Sequence, residues 1–202
     1  MRYQLAYQGV EYEMVEYEQA DDFNCDAWLS KKFTLGLDFP NLPYFIDGDF
    51  KMSETIPIQK YIADKWNPEL LGKDAQTRAT VNMVSNVLMD LKGSVTNGCY
   101  GDGDLSKLQA NVANGVPKVI TFLGDKKFLA GDEVTWVDFY FVEVVELMSK
   151  LVPELFTTYP SLSTYKDSVF ALPKLAEYLA SEGCIDRTYT FNNKSAKIQF
   201  QS

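Results

Sequence analysis

Apolar positions change their period along this chain. From Val81 onward they recur at helical spacing: Val81, Val84, Leu88, Leu91 and Val95, then Leu105, Leu108, Val112, Val116, Val119 and Leu123. Gly115 and Pro117 fall inside the second run and predict a kink there. Thr135, with Asp138 three residues on, is a capping-box variant opening an apolar-rich helix to Leu151. Pro160 and Pro173 stand where a first helical turn tolerates proline, and Gly183 begins an irregular tail. Ahead of residue 75 the pattern is mixed. Residues 2–8 read as the end of a helix stopped by Gly9. Val10 to Tyr17 alternates, with Glu11 and Glu13 opposite Val10, Tyr12 and Met14, which predicts a strand. A short helix is expected around Asp26–Phe33, strands near 43–47 and 50–52, and a helix over 55–66. Asn67-Pro68 to Asp74 reads as a linker. The plan is α/β plus all-α: an α/β domain over 1–66, a linker over 67–74, and an all-helical domain over 75–202.

Composition removes several functions. With 46% hydrophobic and 14% aromatic residues, the 202-residue chain is globular and long enough to bury a core. Its net charge of −9 argues against nucleic acid and anionic membranes as partners. It has no histidine, which excludes Ser-His-Asp and Cys-His catalysis, histidine metal ligands and a histidine pH switch. Cys25, Cys99 and Cys184 are odd in number and far apart, so no disulfide framework or zinc motif follows. They read as reduced thiols packed as small hydrophobes in a cytoplasmic protein. Glu11, Glu13, Glu16 and Glu18 interrupt any signal-peptide core, and no run reaches transmembrane length. The apolar-rich stretch from Trp136 to Leu151 carries Asp138, Glu143, Glu146 and Lys150, so it reads as a buried helix of a globular protein.

The most informative segment runs from Phe39 to Thr55. Leu42-Pro43 invites a turn and is a bond that can adopt the cis form. Asp47-Gly48 is a hairpin signal. Glu54 and Thr55 stand just ahead of Ile56, Ile58, Tyr61 and Ile62, where side-chain oxygens and open N–H groups gather at a helix start. A small anion with an amino group, such as an amino-acid end, fits that chemistry.

Trp28-Leu-Ser-Lys-Lys32-Phe and Leu35-Gly-Leu-Asp-Phe-Pro-Asn-Leu-Pro-Tyr44 closely resemble glutathione transferases, the mu class in particular. Ala130-Gly-Asp-Glu-Val-Thr-Trp-Val-Asp-Phe139 resembles that class's buried capping segment, and the likeness runs along nearly the whole chain. It implies a thioredoxin-like N-terminal domain followed by a helical bundle, with glutathione as a substrate and no metal. Glutathione offers two carboxylates, an amine and a thiol. By resemblance, Glu54 and Thr55 receive its γ-glutamyl end, with Thr55 in place of the usual serine. Leu42, ahead of Pro43, pairs its backbone with the glutathione cysteine, and Asn41 adds a polar contact. Trp28 and Lys32 supply an indole N–H and an ammonium to the glycine carboxylate. Asp90 resembles an acid that reaches the amine of the other subunit's glutathione. Tyr100 resembles a tyrosine facing the electrophile, although the loop after it is shorter than usual and rich in Gly and Asp. Phe39 resembles the aromatic key that inserts into the partner of a mu-class dimer.

In the family, a strand and a catalytic tyrosine precede the segment that Met1-Arg2-Tyr3 resembles. The chain as read starts after both. The expectation is a domain truncated at its first strand, no catalytic residue assigned, and conjugation near background for this chain alone. Tyr3 and Tyr7 are not substitutes, because the resemblance places them in the first helix. Three routes stay open: an upstream segment, a partner chain that completes the sheet, or a rebuilt sheet in a non-catalytic relative. Two functions follow. One is a cytoplasmic, homodimeric transferase that adds glutathione to small hydrophobic electrophiles once a tyrosine is supplied. The other is a catalytically inactive structural or interaction subunit of a larger assembly, paired with itself or with another chain of the same fold.

Overall fold

A computed structural model of the chain describes residues 1–184 and 194–198. Helix α1 (Arg2–Gln8) stops at Gly9, whose φ of 68° is left-handed and suits glycine, as expected from the sequence. α2 spans Asp26–Lys32. β1 (Tyr44–Asp47) and β2 (Phe50–Ser53) pair antiparallel, with Tyr44 opposite Ser53 and Asp47 opposite Phe50. That register leaves Gly48-Asp49 as a two-residue turn, with Gly48 at φ 60°, which is the hairpin that Asp47-Gly48 predicts. α3 (Thr55–Trp66) follows directly.

The strand expected over Val10–Tyr17 does not form. Among the described residues only β1 and β2 make a sheet, and 10–20 adopt neither helix nor strand. Alternation records a two-faced segment, but a strand also needs a neighbour for its N–H and C=O groups. Val10 N bonds back to Leu5 O and Ala20 N to Asn24 O, and neither is a ladder bond. Tyr12, Met14 and Val15 are exposed.

A small core joins this half. Leu5 of α1 meets Ile58 and Ile62 of α3, with Val10, Phe45 and Met52 packed around them. Two glutamines weld the helices together: Gln4 Nε2 donates to Gln59 O at 2.9 Å and Gln8 Nε2 to Ile62 O at 3.1 Å. The expected linker is more ordered than its composition suggests. Pro68–Leu71 form a 3₁₀ turn that buries Leu70, and Asp74 caps the next helix by accepting from Thr77 N at 2.8 Å.

α4 (Ala75–Tyr100) and α5 (Leu105–Leu123) pack along their expected apolar faces. Every position of those two runs is buried except Leu105, the first residue of α5. α5 stays helical through Gly115 and Pro117. Glycine matters where the two helices touch. A Cβ on Gly98 would lie 2.7 Å from Leu108, and one on Gly115 2.8 Å from Leu91, both inside normal contact. α6 (Trp136–Leu151) is buried on nearly all sides, and the Thr135–Asp138 capping box is formed. α7 (Glu154–Thr158), α8 (Ser161–Phe170) and α9 (Pro173–Leu179) close the bundle. Pro160 is the N-cap of α8 and Pro173 the first residue of α9. No helix among the described residues is long and apolar enough to cross a membrane.

Candidate functional site

The junction of α2, β1 and α3 gathers most of the predicted site residues. Leu42-Pro43 is cis and leads into β1. Glu54, between β2 and α3, has φ 78° and ψ 125°. A positive φ is costly for a glutamate, about 1–3 kcal/mol, and such strain concentrates at functional sites. Its carboxylate accepts from Asn41 Nδ2 at 3.5 Å, which joins the 39–43 loop to the start of α3. Ser53 Oγ donates to Phe39 O at 2.5 Å and fixes the same loop from the β2 side.

The N-terminus of α3 carries no side-chain cap. The Thr55 and Ile56 N–H groups have no partner among the described residues, and Pro57 has no N–H. Open first-turn donors at the positive end of a 12-residue helix attract an anion.

Trp28 and Lys32 lie four apart on α2 and so share a face. Trp28 stacks on Tyr44 with centroids 6.1 Å apart and planes 14° apart, and Tyr17 sits 5.2 Å from Trp28. The Tyr17 and Tyr44 hydroxyls are 3.0 Å apart. Burial, then that hydroxyl contact, pushes Tyr44 up to about 12, so its proton stays on at neutral pH. Sequence reasoning gave Tyr17 and Tyr44 no role. The signal was only an aromatic at the end of an alternating run and another after Pro43. Lys32 Nζ lies 5.5 Å from the Phe33 ring. Each indole and phenol in the cluster keeps one polar end beside its apolar ring, which suits a ligand with both kinds of group.

Asp90 and Tyr100 belong to α4. Asp90 lines a cleft of about 460 Å³ between α4 and α5, with Asn97, Asp104 and Lys107. Tyr100 ends the helix, and burial raises its phenol above the ordinary range. Phe39 is 79% exposed, while its carbonyl is held by Ser53. Tyr3 and Tyr7 sit in α1. The Tyr3 hydroxyl donates to Glu146 Oε2 at 2.6 Å and the Tyr7 ring packs 5.1 Å from Phe139. Cys25 is half-buried, its Sγ 3.4 Å from Gln19 Nε2. Among the described residues no three metal-ligating side chains come together.

Known proteins match this chain over most of its length. Residues 1–64 match the glutathione S-transferase N-terminal domain and residues 90–182 the glutathione S-transferase C-terminal domain. A glutathione S-transferase of Tyrophagus putrescentiae is 35% identical over 98% of this chain and 89% of its own length. This chain belongs to the glutathione S-transferase family. Mu-class proteins are among its relatives. The class-mu 26 kDa isozyme 7 of Fasciola hepatica is 36% identical over 88% of this chain and 81% of its own. Glutathione S-transferase Mu 1 of Oryctolagus cuniculus is 36% identical over 90% of this chain and 84% of its own. In three dimensions the chain is similar to the crystal structure of the glutathione S-transferase Blo t 8. The TM-score is 0.82 and the identity 29%, covering 98% of this chain and 92% of that one. The fold is therefore the transferase fold, a thioredoxin-like N-terminal domain followed by a helical C-terminal one.

Proposed function

We propose that this chain binds glutathione at the junction of α2, β1 and α3 and presents the thiol to small hydrophobic electrophiles. The observation that carries the reading is the uncapped, strained start of α3 at Glu54 and Thr55, beside Asn41, in a chain of this family. The open N–H groups and the Thr55 hydroxyl take the γ-glutamyl carboxylate. Glu54 and Asp90 of the partner subunit offset the amine. The Leu42 backbone, held ahead of Pro43, pairs with the cysteine, and Trp28 and Lys32 take the glycine carboxylate. Tyr100 faces the electrophile. A free thiol has a pKa of about 8.5, so attack at neutral pH needs a donor to the thiolate. Tyr3 is given no such part, since its hydroxyl is engaged by Glu146.

Ligand-linked stability tests this. Glutathione at about 100 times its dissociation constant adds roughly 2.7 kcal/mol to the folded state. The unfolding midpoint should then rise by several degrees and saturate with concentration. A midpoint that does not move with millimolar glutathione contradicts the reading.

We propose, too, that the protein is a cytoplasmic homodimer. Three free thiols suit a reducing compartment. The exposed Phe39 ring, with Met83 and Val87 exposed one turn apart on α4, suits a partner's apolar surface. Wild-type protein should sediment as a dimer at micromolar concentration. Phe39→Ser should weaken it by roughly 2 kcal/mol, about thirtyfold in dissociation constant. A monomeric wild type refutes the dimer.

A further inference from the structure

α2 carries Trp28 and Lys32, yet none of its residues is buried. A seven-residue helix with no buried face does not hold its own position, since isolated helices shorter than about 12 residues are marginal in water. The ring cluster with Tyr17 and Tyr44 holds one side of it. The loop leading into it holds its start. That loop is internally wired. Ala20 N donates to Asn24 O at 2.9 Å and Phe23 N to Ala20 O at 3.0 Å. Asn24 Nδ2 donates to Asp26 Oδ2 at 2.9 Å, and Asp26 N donates to Asn24 Oδ1 at 2.6 Å. Displacing the loop therefore displaces the first turn of α2.

Two contacts tie this loop to residues more than 170 positions away. Lys194 Nζ lies 2.6 Å from Asp21 Oδ1, a separation of 173 residues. Gln19 Nε2 donates to Ser195 Oγ at 3.2 Å and to Phe23 O at 2.9 Å. The segment supplying Lys194 and Ser195 is anchored in the helical domain. Lys197 N and Ile198 N donate to Cys99 O, near the end of α4, at 2.8 and 3.3 Å. Ala196 is buried and Ile198 packs on the main core.

We propose that Gln19 and Asp21, clasped by Lys194 and Ser195, fix the leader of α2 against the end of α4 and so position Trp28 and Lys32 for the ligand. All four are positioning residues and none touches the ligand. The identity of that ligand rests on the glutathione reading above. A free-standing exposed ion pair contributes little, because ordering two long side chains offsets the attraction. Here one side is already ordered by Ala196, Ile198 and the bonds to Cys99, so less entropy is lost on closing the clasp.

Charge reversal with rescue tests it, read by backbone hydrogen exchange of the full chain and by glutathione titration. Asp21→Lys and Lys194→Asp should each speed exchange of the amides of 20–32 by roughly fivefold, the upper end for an exposed pair. Each should weaken glutathione binding by a similar factor, with exchange in α4 to α6 unchanged. The double variant Asp21→Lys/Lys194→Asp should restore both readings. Unchanged exchange over 20–32 in the single variants overturns the clasp. So does faster exchange with unaltered glutathione affinity, or a double variant that restores neither. A wild type that binds no glutathione overturns the ligand reading instead, and the exchange comparison still decides the clasp.

Discussion

Asp138→Ala is expected to destabilise the protein by roughly 3 kcal/mol or more, because it leaves several buried donors without an acceptor at once. Asp138 is fully buried. Its Oδ1 accepts from Leu129 N at 2.8 Å and from the Tyr165 hydroxyl at 2.7 Å. Its Oδ2 accepts from Thr135 N at 2.8 Å and from Thr135 Oγ1 at 2.9 Å. One carboxylate therefore joins the turn before α6, the N-cap of α6 and a tyrosine on α8. Truncating it costs about 1–3 kcal/mol for each stranded group that finds no new partner. Such a loss is large against a total domain stability of about 5–15 kcal/mol. With urea m-values of about 1–3 kcal/mol/M, the unfolding midpoint should fall by roughly 1 M or more. Tyr165→Phe leaves Asp138 with three of its four donors and should cost much less. An Asp138→Ala midpoint indistinguishable from wild type would mean that these bonds do not hold the helical domain together.

Thr55→Ala and Trp28→Ala are expected to weaken glutathione binding by roughly tenfold to a hundredfold each, the range for losing a hydrogen bond to a charged group. Thr55 is the first residue of α3, where its hydroxyl adds to open N–H groups. Trp28 presents an indole N–H while its ring stacks on Tyr44. Under the proposed glutathione binding, the two residues engage opposite ends of the tripeptide. Their effects should therefore add in a double variant, as those of separate sites do. Both variants should unfold near the wild-type midpoint. Loss of binding with loss of fold would assign these residues to structure instead.

The helical domain was legible because its information is local. Period alone picks out the buried faces of α4 and α5, and the Thr135–Asp138 spacing alone marks the start of α6. The hairpin was legible for the same reason, since Asp47-Gly48 supplies a left-handed residue at the turn. Val10–Tyr17 misled because alternation carries no information about a neighbour. At the site, the words around Trp28, Pro43 and Glu54 were readable, and the chain does bring them to one junction. What was not readable is what connects them. The stack of Trp28 on Tyr44, the positive φ of Glu54 and the contacts of Lys194 and Ser195 with the 19–21 loop all depend on residues distant in sequence. No local spacing encodes them.

Glutathione occupancy of the junction of α2, β1 and α3 is the central proposal. Isothermal titration of the wild-type chain with reduced glutathione tests that directly. The expected result is saturable binding with one site per chain, lost progressively in Thr55→Ala and Trp28→Ala. Absence of any binding heat up to millimolar glutathione, from protein that is folded by circular dichroism, would contradict it.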